Sequence, residues 1–113
     1  MRHLIVLVLM LGFLSSTRMA AAQSAAQIEQ GQKVYAAQKC GICHAVAGKG
    51  NAKGALDTVG SKLSADEIRQ WIVDAPGMTA KTKAARKPLM KAYPALPKPD
   101  VDALVAYMQS LKK

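Results

Sequence analysis

One stretch constrains this chain more than any other: Cys40-Gly41-Ile42-Cys43-His44. It holds the only 2 cysteines among 113 residues, so a disulfide-dense scaffold is excluded. Thiols at i and i+3 fall on one side of a turn, and an imidazole follows directly. A chain of this length supports a single small domain, which excludes a large multi-domain enzyme. The one core it can form must be organised beside this sulfur and nitrogen cluster.

The pattern is C-x-x-C-H, the c-type haem attachment sequence. Cys40 and Cys43 can add to the two vinyl groups of one porphyrin as thioethers. His44 is then delivered beneath the iron as proximal ligand. Its Nε2 would bind iron while a backbone carbonyl holds Nδ1–H and fixes the ring. Three other readings compete. A structural zinc site needs four ligands, and Cys40, Cys43 and His44 supply three. A redox dithiol calls for a βαβ context. A plain Cys40–Cys43 disulfide needs only an oxidising compartment.

The first residues read as an export leader. Met1-Arg2-His3 is a short basic start, Leu4 to Leu14 carries no charge, and Ala20-Ala21-Ala22-Gln23 offers a small-x-small cleavage signal after Ala22. The apolar run is well short of the roughly 20 residues of a membrane span. A cleaved signal peptide over 1–22 is therefore expected, leaving residues 23–113 as one domain. His3, the only other histidine, leaves with it.

Three stretches of the remaining chain have helical periodicity. One runs from about Ala25 to Lys39, with Ile28, Gly31 and Tyr35 on one side. A second begins at Ser64-Ala65-Asp66-Glu67, a capping-box sequence, presents Ile68, Trp71 and Ile72, and stops before Pro76-Gly77. A third spans about Pro99 to Leu111, with Val101, Leu104, Val105, Met108 and Leu111 in register. Ala45 to Lys62 is glycine-rich, and Pro76 to Pro99 holds all 5 prolines, so both read as loops. No stretch alternates as a strand. The expected fold class is all-α, and its thin core would profit from a large apolar insert.

With these residues in hand, residues 23–113 resemble a small bacterial class I monohaem cytochrome c. Gly31 and Tyr35 with Leu104 and Tyr107 are similar to that family's helix-crossing contact. Leu56-Asp57-Thr58-Val59-Gly60, Leu63-Ser64 and Trp71-Ile72 resemble its middle section, and Leu104-Val105-Ala106-Tyr107-Met108 its last helix. The resemblance implies a cytochrome c fold of about three main helices around one covalently bound haem c with its iron. The family carries Gly-Pro before the middle leucine, and the proline carbonyl holds the histidine. Those positions fall on Lys53 and Gly54, and a glycine carbonyl can accept the same bond.

The sixth iron ligand has three methionine candidates after the leader. Met108 lies in a helical stripe and reads as core. Met90-Lys91-Ala92-Tyr93 resembles the family's Met-Pro-Ala-Tyr/Phe ligand segment, with Lys91 in the proline's place. Met90 is therefore the expected distal ligand and Met78 the alternative. Trp71 and Tyr93 read equally well as core aromatics or as residues flanking the haem.

The chain is strongly basic, with 16 Lys+Arg against 7 Asp+Glu. Lys81, Lys83, Arg86, Lys87 and Lys91 follow one another with no acid between, and Lys39, Lys49 and Lys53 flank the attachment motif. An exported protein has little access to nucleic acid, so steering toward acidic docking faces of redox partners is the stronger reading; a solvated basic loop is the plain alternative. The expectation is a monomeric, soluble, periplasmic one-electron carrier rather than an enzyme, without stable membrane insertion. Two alternatives stand beside it: the haem subunit of a larger oxidoreductase, and a sensor or peroxidase-like protein with an open sixth site.

Overall fold

The computed structural model describes residues 16–112. The apolar run Leu4–Leu14 lies outside the described residues. Helix α1 spans Ser16–Ala37, a 3₁₀ turn follows at Cys40–Ile42, and strands β1 (Ala45–Val46) and β2 (Lys49–Gly50) form a small hairpin. A second 3₁₀ turn covers Ala52–Gly54. Helices α2 (Val59–Lys62), α3 (Ala65–Val73), α4 (Ala75–Thr82) and α5 (Lys98–Ser110) complete the order. The fold is all-α, as expected.

The crossing of α1 over α5 sets the frame. Gly31 is buried there, and a Cβ on it would overlap the Ala103 carbonyl oxygen and come within 2.6 Å of the Tyr107 Cβ. The absence of a side chain is what lets the two backbones approach. One turn on, Tyr35 meets Tyr107 edge to face, with ring centroids 5.8 Å apart and an interplanar angle of 86°. Val34 packs beside them with Ile68, Ile72, Val101, Leu104, Val105 and Met108. Among the described residues, no Phe or Trp is a buried member of this core. Helix α1 begins before Ala25, because the alanine-rich stretch ahead of it has high helix propensity. The expected cleavage point, Ala22–Gln23, therefore falls within α1.

Helix α3 starts as its sequence predicts. Ser64 Oγ accepts from the Glu67 N–H at 3.2 Å, and Glu67 Oε1 accepts from the Ser64 N–H at 3.1 Å. Ile68 and Ile72 face the core. Arg69 pairs with Asp102 at 2.7 Å, tying α3 to α5.

Two local expectations are corrected. The stretch after Pro76 is not all loop, since α4 occupies Ala75–Thr82 and buries Ala75 and Met78. Asp74 caps it by accepting from the Gly77 N–H at 3.2 Å. Pro76 sits in the first turn, where its missing N–H removes no intrahelical bond. The pair Pro76-Gly77 therefore starts a helix as well as following one. The other correction is the hairpin, in which Ala45 pairs with Gly50 and Val46 with Lys49. Ala47 (φ 51°) and Gly48 (φ 79°) both take the positive φ of a tight primed turn. Two residues per strand are too few to alternate visibly.

Candidate functional site

The site begins where α1 stops. Lys39 adopts a left-handed conformation (φ 55°) that breaks the helix and turns the chain into Cys40–Ile42. Within the turn the Cys43 N–H reaches the Cys40 carbonyl at 3.1 Å, and the His44 N–H reaches the same oxygen at 2.9 Å. Both thiols and the imidazole thus come from one tight turn. No disulfide joins the two sulfurs.

Asn51 stitches this turn from outside. Its N–H donates to the His44 carbonyl at 2.9 Å and to the Gly41 carbonyl at 3.1 Å. Its side-chain Nδ2 donates to the Ile42 carbonyl at 3.2 Å, and its Oδ1 accepts from the Lys53 N–H at 3.0 Å. The residue before it is Gly50, at φ 107°, where a side chain would collide with the His44 carbonyl. Sequence reasoning missed Asn51; its only signal was a cap-forming residue ahead of a short turn.

The cap carries the chain to Gly54, whose carbonyl lies 2.9 Å from His44 Nδ1. A carbonyl can only accept, so Nδ1 holds the proton and Nε2 keeps its lone pair. Burial, first, depresses the His44 pKa; the Gly54 bond works against this and the nearby Arg86 charge adds to it. The ring is thus held neutral, the form that binds a metal. Burial likewise pushes the Cys40 thiol up, away from the thiolate character of a catalytic cysteine.

These groups open on a cavity of about 510 Å³ lined by Cys40, Cys43, His44 and Met90. Its remaining wall is largely apolar, with Leu56, Leu63, Trp71 and Tyr93 among the contributors. The volume is in the range of about 300–1,000 Å³ usual for a small-molecule or cofactor site. Met78 is 6% exposed in α4 and is not among the residues lining the cavity. Met108 belongs to the core and also borders the cavity. The Met90 segment is held downstream by the Tyr93 N–H, which reaches the Ile72 carbonyl at 2.8 Å. Lys91 lays its ammonium over the Tyr93 ring, 5.5 Å from the centroid. Among the described residues, no three or more His, Cys, Asp or Glu side chains converge as a metal cluster.

The donor set fits a haem: two thiols on one turn, a neutral imidazole with a free Nε2, a thioether on the cavity wall and an apolar lining. Fold and site together define a class, an all-α protein built around a covalently held cofactor. The chain belongs to the cytochrome c family, whose model, described as Cytochrome c, matches residues 28–112. Membership brings covalently attached haem c with its iron, and haem-based electron transfer. The chain is also similar to "Cytochrome c oxidase subunit 2" of Alkalihalophilus pseudofirmus, 34% identical over 92 residues and 74% of this chain. It spans only 25% of that relative's length. No solved structure matches the chain at a comparable level.

Proposed function

We propose that this chain is a soluble periplasmic one-electron carrier, in which Cys40 and Cys43 would hold haem and His44 and Met90 would ligate its iron. The observation that carries the reading is the His44 Nδ1 to Gly54 carbonyl bond, beside a cavity whose wall includes Met90. The bound haem would supply a one-electron ferric/ferrous couple. The chain's own residues do the rest. Gly54 fixes the imidazole, so its donor direction does not change with oxidation state. Met90 offers a soft thioether, and the apolar wall keeps water away; both favour the reduced state and raise the potential. With His44 and Met90 both given over to holding the iron, no substrate bond would be made or broken there, and the chain is read as a carrier rather than an enzyme.

Export through the 1–22 leader would place the domain in the periplasm. Among the described residues no helix is long and apolar enough to cross a membrane. Lys39, Lys49, Lys53, Lys81, Lys83, Lys87 and Lys91 are all exposed. That distribution supports docking on acidic faces of redox proteins. A second reading is favoured by the oxidase-subunit relative: the same electron-transfer domain working as the haem unit of a larger oxidoreductase.

The test is the visible spectrum of the exported protein beside a Met90→Ala variant. The parent should show a ferric thioether-to-iron band and the variant should lose it. Persistence of the band in the variant removes Met90 as ligand. Ready carbon monoxide binding by the reduced parent would favour an open-site sensor instead.

A further inference from the structure

Arg86 differs from the basic residues around it. Its Nη2 donates to the Cys43 carbonyl at 2.6 Å, across 43 residues of sequence. The guanidinium also has a seat. A Cβ on Gly54 would overlap Arg86 Nη1 and the Cys43 carbonyl, and would lie 2.9 Å from Arg86 Cζ. The side chain fits there only because residue 54 has none. Gly54 is the same residue whose carbonyl holds His44.

The other end of Arg86 matters equally. It stands in the irregular segment between α4 and α5, four residues before Met90, and both border the same cavity. Downstream of Met90 the segment is pinned by Tyr93 to Ile72. Upstream, Arg86 makes the corresponding anchor. Met90 therefore sits between two attachments, and one of them leads to the turn that bears His44.

We propose that Arg86 is a positioning residue that straps the Met90 segment to the Cys43–Gly54 corner and so sets how firmly Met90 holds its place on the cavity wall it shares with His44. The inference rests on the proposed assignment of His44 and Met90 as the iron ligands. A charged donor on a carbonyl belongs to the stronger class of hydrogen bonds. The planar fork of arginine suits a contact that also packs on a glycine, and lysine would reproduce only the charge.

The test uses the haem-loaded protein with Arg86→Leu, which keeps part of the apolar stem, removes donor and charge and adds no ligand, and with Arg86→Lys. Cyanide binding to the ferric protein and carbon monoxide binding to the ferrous protein would both require Met90 to be displaced. Apparent affinity therefore scales with the Met-off population. Losing one exposed charge-assisted bond should raise that population about three- to tenfold, and both apparent affinities with it. Arg86→Lys should fall between parent and Arg86→Leu. The midpoint potential should drop in Arg86→Leu but hold in Arg86→Lys, since only the former loses a cation beside the His44 turn. A lower melting temperature with unchanged cyanide and carbon monoxide binding would make Arg86 merely structural and overturn the proposal. If Met90→Ala leaves the thioether band intact, the ligand assignment has failed first. If that band is lost and Arg86→Leu still behaves as the parent, the strap alone has failed.

Discussion

Replacing Gly31 with alanine tests the helix crossing on which the site is built. The added Cβ meets the Ala103 carbonyl oxygen and the Tyr107 Cβ at 2.6 Å. Neither is the far end of a flexible side chain, so no rotamer change relieves the overlap, and α1 must move off α5. Overpacking costs about 1–3 kcal/mol, and an overlap with atoms that cannot rotate away belongs to the upper part of that range, about 2–3 kcal/mol. Alanine recovers about 1 kcal/mol through helix propensity. The net expectation is a loss of about 1–2 kcal/mol. For a domain this small each kcal/mol moves the melting temperature by about 4–8 °C, so a fall of roughly 4–16 °C is expected. The assay is thermal unfolding followed by far-UV circular dichroism, with Gly41→Ala as control. Gly41 has nothing within 4 Å of its would-be Cβ and should shift little. A Gly31→Ala chain as stable as its parent would refute the close-approach argument.

Ser64→Ala removes one half of the capping box and should cost about 1 kcal/mol by chemical denaturation, with Glu67→Gln milder because its amide can still accept. Tyr35 gives a pH signature: burial above all raises its phenol from 10.0 to about 12. The folded chain holds a proton that the unfolded chain releases, so this contribution is complete below pH 10.0 and is lost as pH rises through about 12. Melting temperature should fall across that window in the parent and less steeply in Tyr35→Phe. Stopped-flow electron transfer with an acidic redox protein should slow tenfold or more as salt rises from about 0.01 to 0.15 M. A flat salt dependence would reduce the lysines to a solvated surface.

What the sequence made readable was local or periodic. Ser64 and Glu67 are three residues apart, and their bonds form within one turn. The stripe from Val101 to Met108 repeats at helical spacing. Gly31 with Tyr107 is a long-range contact, and only the resemblance to the cytochrome c family pointed to it. The Gly54 carbonyl could be placed because Leu56 to Gly60 fixed the alignment. Other features left weaker traces. Pro76-Gly77 breaks α3 and also opens α4, and only the Asp74 cap distinguishes the two roles. Arg86 looked like one more charge in a basic run, because its partner is a main-chain oxygen that no residue type announces. Asn51 acts largely through backbone groups for the same reason.

The most direct test of the central claim is the intact mass of the exported protein under denaturing conditions, together with thiol alkylation. The expected mass is that of residues 23–113 plus one haem, with Cys40 and Cys43 both resistant to alkylation. A colourless chain of unmodified mass, with two thiols open to the reagent, would contradict it.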